Sequence, residues 1–191
     1  MYYRRLLIVL VGFFITNCGG GTSSSTTNSD TESFVYPTEN EILVAINEAR
    51  NQKIDCNDGL GIVGPSQPLV WNTALAEAAY EHSRDLAMTD TFSHDGSGTE
   101  YDIAGYNRGR KSFFTERIDD HGYTDYDIVG ENIGGGFSCL TDVIAGWLAS
   151  PGHCANMMND SFTEFGVGIV VETGTQYGVY WTEEFGHREN K

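Results

Sequence analysis

The ten residues 147–156 limit most strongly how this chain can fold. An apolar run with helical spacing leads into them. Pro151 and Gly152 are expected to end that helix, because proline cannot donate an intrahelical hydrogen bond and glycine adopts the conformations that follow a helix. His153 and Cys154 come directly after this break. The sequence therefore predicts a histidine and a cysteine at the end of a buried helix.

Two more helices are predicted in the first half of the chain. Thr38 and Glu41 form a capping-box pattern, so a helix should run from there to about residue 50. Asn72 is a good N-cap for a second, alanine-rich helix. His82 lies on its apolar face and is interpreted as a core histidine satisfied by a hydrogen bond rather than as a ligand. Asp85 falls on the polar face and is expected to be solvated.

Strand patterns occupy the second half of the chain. Residues 126–129 have strand character and lead into Gly130-Glu131-Asn132-Ile133 and a run of three glycines. Apolar residues alternate over 165–171 and again over 177–181, with a turn between them, as in a β-hairpin. Helices first and a hairpin last predict an α+β fold with an antiparallel sheet covered by helices.

Composition excludes some classes of function. The chain has 191 residues with 27 acidic and 11 basic side chains, a formal net charge of −16. No basic footprint for phosphates is visible, so a nucleic-acid partner is not expected. The same charge argues against docking of the domain body on anionic lipid.

The N-terminus is typical of an exported protein. Residues 1–17 combine two arginines with a short apolar run and are predicted to be a signal peptide. Cys18 follows a sequence that resembles a bacterial lipobox, which predicts lipidation of Cys18, with a plain secretory signal as the alternative. Residues 18–36 are rich in Gly, Ser and Thr and are predicted to be a flexible linker. The protein is therefore expected outside the cytoplasm, touching membrane only through an N-terminal lipid anchor.

Three cysteines remain, at positions 56, 139 and 154. In a compartment that permits disulfides, one bridge and one free thiol is the simplest arrangement. The residues alone leave all three pairings open.

Six segments in order resemble the CAP superfamily, which includes cysteine-rich secretory proteins, venom antigens and pathogenesis-related plant proteins. These segments are Asn47–Arg50, His82–Ala87, Phe92–His94, Gly130–Ile133, Trp147–Asn156 and Tyr180–Gly186. The resemblance places a CAP domain at residues 37–187 and identifies it with the bacterial branch. It implies a three-layer α-β-α sandwich with a central antiparallel sheet.

The resemblance also implies a cleft with two histidines and two acids that binds a divalent cation in several members. His94, Glu131 and His153 match three of those positions. The fourth is open, and the candidates are Ser150, Glu183 and Asp95. Two imidazoles and a carboxylate would suit zinc or another divalent cation and leave a position for water.

Bacterial relatives with the same Gly-His-Cys sequence suggest a disulfide between Cys56 and Cys154. Cys139 would then be a spare thiol.

Three functions remain open at this point. The first is a non-enzymatic binding module whose groove holds a cation together with a small apolar or extended ligand, such as a lipid or a peptide. The second is a metal-dependent hydrolase of peptide or ester bonds, although the His-Glu-x-x-His helix of metallopeptidases is missing and no general base is identifiable. The third is a structural or adhesive envelope protein, in which the three residues form only a hydrogen-bonded knot.

Overall fold

The computed structural model describes residues 34–189. The predicted signal peptide, Cys18 and most of the predicted linker lie outside the described residues. Phe34 packs edge-on against Trp181, with ring centroids 5.9 Å apart, so the last residues of that linker contact the folded domain. None of the helices within residues 34–189 has the length and apolar character that crossing a membrane requires.

Four helices and three two-residue strands come before the first long strand of the described chain, and two more long strands lie at its end. In chain order the elements are α1 Glu39–Arg50, β1 Ile54–Asp55, β2 Ile62–Val63, β3 Val70–Trp71, α2 Thr73–Thr89, α3 Ile103–Arg108, α4 Phe114–Asp120, β4 Ile128–Gly135, α5 Leu140–Ala149, α6 Pro151–Met157, β5 Glu164–Val171 and β6 Val179–His187.

The predicted helix starts are confirmed. Thr38 and Glu41 form a reciprocal capping box at the start of α1, in which each side chain serves a backbone N–H of the other. The Asn72 side chain accepts hydrogen bonds from the first turn of α2. The prediction that Asp85 is solvated is wrong. Asp85 is 1% exposed and accepts hydrogen bonds from the backbone N–H and the hydroxyl of Ser97, so it holds the chain that follows α2.

Four strands form the central sheet in the order β3-β5-β6-β4. The predicted hairpin is β5 and β6, which pair antiparallel along their whole length. β4 pairs antiparallel with the other side of β6. The short strand β3 pairs parallel with the beginning of β5. The α+β class is confirmed, and the sheet is antiparallel except for this two-residue edge.

Helices cover both faces of the sheet, as the sandwich architecture requires. One face packs against α1, α5 and α6, and its largest buried side chains include Trp147, Phe165 and Trp181. The other face packs against α2, and α4 packs on α2 and reaches the sheet through the hydrogen bond from Arg117 to Glu131. On that face Gly166 and Gly168 of β5 leave no room for a Cβ, because the backbone of α2 lies directly over them. In β5, the glycines therefore let α2 approach the sheet closely on one face, while the alternating apolar residues pack into the core on the other face.

Pro151 begins a helix here, although the sequence suggested that it only ends one. α5 ends at Ala149, Ser150 is extended, and Pro151 occupies the first position of α6. Proline suits that position, because its missing N–H would have no intrahelical partner there and its φ is already helical. His153 and Cys154 therefore lie in the first turn of a new helix.

The disulfide between Cys56 and Cys154 is confirmed, and it joins residues 98 positions apart. It connects the loop of the small β1–β2 hairpin to α6. Cys139 is disulfide-bonded as well, and no cysteine among the described residues is free. The expectation of a spare thiol at Cys139 is wrong.

Removal of the Cys56–Cys154 bond is expected to lower the free energy of unfolding by about 2–5 kcal/mol, because the bond closes a long loop in the unfolded chain. Urea denaturation of a Cys56→Ser/Cys154→Ser double variant against the wild type measures this loss. Peptide mapping under non-reducing conditions is the accompanying check. A peptide that links Cys139 to Cys56 or to Cys154 would contradict the pairing.

Candidate functional site

The Gly-Glu-Asn segment lies in the middle of β4, at one edge of the sheet. Successive side chains of a strand point to opposite faces. Glu131 points to the face covered by α2 and α4, and Asn132 points to the face covered by α6. Two neighbouring residues thus reach two different layers. The site is built around this division.

Glu131 is buried, and both of its oxygens are bound. His94 lies in the chain after α2, and its Nδ1 donates to Glu131 Oε1 at 2.7 Å. Arg117 of α4 donates through Nη2 to Glu131 Oε2 at 2.6 Å. The side chains of Glu131 and Arg117 are each 1% exposed, whereas that of His94 is 53% exposed. The glutamate is therefore a buried anion that joins a buried cation to an accessible imidazole.

Arg117 also fixes the segment that carries His94. Its Nη2 donates to the backbone carbonyl of His94 at 3.0 Å, and its Nη1 donates to the Ser112 hydroxyl at 3.0 Å. A planar guanidinium presents its donors in a fixed geometry, so one side chain sets both the carboxylate and the backbone of the histidine.

The charges of the pair follow from this arrangement. Burial raises the pKa of Glu131, but nearby His82 and Arg117 and the hydrogen bond from His94 lower it by more, so its pKa lies below the usual range. The hydrogen bond to Glu131 raises the pKa of His94 despite partial burial. Glu131 is an anion at neutral pH, and it fixes the proton of His94 on Nδ1.

His82 is a third imidazole close to the pair. Its Nε2 donates to the Ser93 carbonyl at 2.9 Å and lies 3.9 Å from Glu131 Oε2. Burial lowers the pKa of His82 to about 4, so the ring is neutral at physiological pH. The interpretation of His82 as a core histidine held by a hydrogen bond fits the contact of Nε2, whereas its buried Nδ1 has no hydrogen-bond partner among the described residues.

His153 approaches from the opposite layer. Its ring centroid lies 6.5 Å from that of His94, with the two planes tilted by 52°. Asn132 Nδ2 donates to the His153 carbonyl at 3.2 Å, and Asn156 Nδ2 donates to the Glu131 carbonyl at 3.1 Å. These two amides tie the first turns of α6 to β4. The Gly-Glu-Asn segment thus positions both cleft histidines, one through each of its polar side chains.

The ring of His153 is neutral and available. Burial and the nearby charge of His94 lower its pKa. Within residues 34–189 no protein group is hydrogen-bonded to its ring nitrogens.

The second acid beside Glu131 is Glu184, which the sequence did not suggest. Glu184 is directly opposite Glu131 in the β4–β6 register, so the two side chains share a face. Glu183 is opposite Asn132 and points to the other face, where Asn132 Nδ2 donates to it at 3.2 Å. The other two candidates do not fill the position either. Ser150 is the residue between α5 and α6, and Asp95 is exposed.

Glu184 is expected to hold a proton. It is fully buried, and neither of its oxygens accepts a hydrogen bond from a donor of the described residues. Burial and the negative charge of Glu131 raise its pKa well above the usual value. A protonated Glu184 can donate its hydroxyl to Glu131, as expected for two carboxyl groups that share a buried site. We infer that the two carboxyls carry one negative charge, which Arg117 balances.

Arg117 and Glu184 were missed for identifiable reasons. Arg117 lies in a short helix, three positions after Phe114 and next to Ile118, and arginine is usually solvated there. Glu184 could not be distinguished from its neighbour Glu183, because two consecutive glutamates in a strand cannot be assigned to faces until the register is known. The only signal in the sequence is the two-residue repeat of β6, which places Glu184 on the same face as Thr182 and Gly186.

The donor set fits a cation only in part. No group of three or more His, Cys, Asp or Glu side chains within residues 34–189 is arranged to hold a metal ion. Glu131 is committed to Arg117 and His94, so it supports a ligand and is not one itself. What remains is a pair of imidazoles, with His94 Nε2 and the ring of His153 free to bind. A carboxylate on Nδ1 of a ligating histidine is a common arrangement at protein metal sites.

Arg117→Met and Glu184→Gln should differ sharply in their effects on stability. The first leaves the Glu131 charge buried without its cation, and the free energy of unfolding should fall by about 3–5 kcal/mol. The second replaces a neutral acid by a neutral amide that can also donate to Glu131, so a change of less than about 1 kcal/mol is expected. Chemical denaturation at pH 7 measures both. Equal losses in the two variants would contradict a protonated Glu184.

Because Glu183 is buried, we expect the stability of the folded protein to depend on pH. Burial raises its pKa from 4.5 to about 8, so the folded state binds its proton more tightly than the unfolded state does. Stability from this group is complete below pH 4.5 and is lost as pH rises to about 8. Relative to Glu183→Gln, the wild type should therefore lose stability across that window. Glu100→Gln, an exposed position, is the matched control and should show no such trend.

Comparison with known proteins agrees with this architecture. Residues 43–185 match the profile of the family described as "CAP: Cysteine-rich secretory protein family". A curated relative, YkwD of Bacillus subtilis (strain 168), is 30% identical over 121 residues. That match covers 62% of this chain and 39% of YkwD, so the chain spans about two fifths of the relative's length.

Solved structures share the fold. An extracellular protein containing a SCP domain from Bacillus anthracis is 25% identical, with a TM-score of 0.54, and the match covers 78% of this chain and 41% of that one. An outer surface protein from Borrelia burgdorferi has a TM-score of 0.57 at 19% identity, over 81% of this chain and 97% of that one. With its profile match spanning three quarters of its residues, this chain belongs to the CAP family of cysteine-rich secretory proteins, in its bacterial form.

Proposed function

We propose that this protein is an extracytoplasmic binding module whose cleft between His94 and His153 holds a divalent cation such as zinc. The observation that carries the proposal is the orientation of His94. Its Nδ1 is fixed by Glu131 at 2.7 Å while its side chain is 53% exposed. In the neutral form of His94, the opposite ring nitrogen keeps a lone pair directed away from the carboxylate.

Each residue around the cleft has a separate task. Arg117 keeps Glu131 ionised, and Glu131 holds His94 in the tautomer that can bind a cation. The lowered pKa of His153 keeps the second ring neutral and able to bind as well. Asn132 and Asn156 hold the backbone of α6 in place. The cleft is thus preorganised by groups that would not touch the ion.

Two imidazoles are an incomplete set of ligands for zinc, which usually takes four. A bound cation would keep open coordination positions for a group of a partner molecule. A small apolar or extended ligand with a carboxylate or thiol end would meet that requirement, and both lipids and peptides can carry such groups. The module would then recognise its ligand through the cation.

Hydrolysis has less support from the geometry. Glu131 and Glu184 are buried, so neither can act as a base on a substrate in the cleft. The Ser93 hydroxyl accepts the backbone N–H of Asp95 at 3.0 Å, and His94 is engaged with Glu131. Ser93 and His94 are therefore not paired as a nucleophile and its base, the arrangement that acyl transfer needs. We propose a binder rather than an enzyme.

The proposed location rests on two observations. A disulfide between segments far apart in sequence is typical of proteins in oxidising compartments. The Bacillus anthracis structure with the same domain is described as extracellular. Lipidation of Cys18 stays a prediction.

Zinc titration of the mature protein tests the cleft. We expect binding of micromolar strength by calorimetry, and its loss in His94→Ala and in His153→Ala, because each variant leaves a single imidazole. His187→Ala, which changes a histidine of β6 outside the cleft, should bind like the wild type. Affinity should fall on acidification, with His94 the first cleft ring to take a proton, since its pKa is raised and that of His153 is lowered.

Circular dichroism confirms that each variant is folded before titration. Zinc binding that survives both cleft substitutions would reject the site, and so would a folded wild type that binds no zinc. In the second case the three residues would have only a structural role.

A further inference from the structure

The two edges of the central sheet are treated differently. At the β4 edge, side chains of the neighbouring helices cap the outward carbonyls. Trp147 Nε1 donates to the Ile133 carbonyl at 3.0 Å, and Asn156 Nδ2 donates to the Glu131 carbonyl at 3.1 Å. Capping of this kind prevents another strand from pairing with the edge.

The opposite edge is covered for only two residues. β3 pairs with Glu164 and Phe165 and then turns into α2, while β5 continues to Val171. The final hydrogen bond of this ladder runs from the Asn72 N–H to the Phe165 carbonyl at 2.8 Å. Because a strand repeats every two residues, Val167 and Ile169 present their N–H and C=O groups to the same edge. Within residues 34–189 no strand lies beside them and no side chain is hydrogen-bonded to them.

An apolar groove runs along this uncovered part of β5. Its volume is about 610 Å³, and Val167, Ile169 and the aromatic side chains of Tyr36, Trp71 and Tyr80 are among its lining residues. Tyr36 is 55% exposed and Tyr80 is 53% exposed. Two large aromatic side chains in solvent beside free backbone groups are characteristic of a surface that binds an extended chain.

The groove is flanked mainly by acidic side chains. Glu39, Glu77 and Glu81 line it, against the single permanent cation Arg84. His121 lies between two of them, with Nε2 2.9 Å from Glu81 and Nδ1 3.7 Å from Glu77, but the side chain of Glu77 is still 61% exposed. A partner with basic side chains would find complementary charge there.

We propose that the uncovered edge of β5 binds an extended peptide with alternating apolar and basic side chains, which adds to the sheet as a further strand. Its backbone would pair with Val167 and Ile169, its apolar side chains would enter the groove, and its basic side chains would meet Glu39 and Glu77. A second copy of this chain fits less well, because each copy has a formal net charge of −16. An acyl chain could fill the groove but has no groups to pair with the backbone.

The test uses the folded protein and the fluorescein-labelled peptide acetyl-Lys-Val-Lys-Val-Lys-Val-amide. Two derivatives carry N-methyl groups, one on the three lysines and the other on the three valines. All three peptides have the same charge, but an added strand uses only alternate N–H groups toward its neighbour. By fluorescence polarisation the parent should bind, one derivative should bind about tenfold or more weakly, and the other should bind like the parent.

Equal affinities of the two derivatives would overturn the proposal, because they would show that backbone pairing contributes nothing. Failure of the parent peptide to bind would overturn it too. On binding, hydrogen exchange should slow at the amides of Val167 and Ile169. Sedimentation that shows a dimer protected at these amides would assign the edge to a second copy instead.

Protein variants separate this surface from the cleft. Glu77→Lys should weaken the parent peptide about tenfold or more, since it reverses the charge beside the groove. Glu100→Lys is the matched control at an exposed position that does not line the groove, and it should leave binding unchanged. His94→Ala should also leave it unchanged. Loss of peptide binding in His94→Ala would place the peptide in the cleft and reject the β5 edge.

Discussion

A charged carboxylate that is removed from water needs compensation on every side, and here that carboxylate is Glu131. Arg117 supplies the opposite charge from α4, His94 supplies a donor from the loop after α2, and Glu184 shares the pocket as a neutral acid. Each partner comes from a different segment. The requirement to balance one charge therefore fixes how α4, the loop after α2 and β6 lie against β4.

The sequence pattern was sufficient for local structure but not for the disulfide. The capping box at Thr38, the cap at Asn72 and the alternation in β5 and β6 reflect backbone chemistry within a few residues. Such signals need no knowledge of distant segments. The pairing of Cys56 with Cys154 came from the family resemblance, since residue spacing left three choices.

Most of the errors concern contacts between distant segments. Asp85 has the spacing of a solvated residue, yet the loop that contains Ser97 folds over it. The candidates for the second acid include Glu183 and omit Glu184, because only the pairing register of β4 and β6 decides which one faces Glu131. The pattern around Pro151 predicts only the end of a helix, since the fold of the next segment is not visible from the proline itself. For the two acids a tertiary contact decided the outcome, whereas at Pro151 the preference is local, since proline is favoured in the first position of a helix.

The Cys56–Cys154 bond links the geometry of the cleft to the oxidation state of two cysteines. Cys154 follows His153 directly in the first turn of α6, so the bond anchors the same turn that holds the histidine. Before oxidation, that turn depends on the two asparagine amides and on helix packing alone. The bond therefore adds a covalent restraint to the turn that carries the second imidazole, which the two amides do not supply. Reduction would loosen the cleft without removing any of its polar side chains.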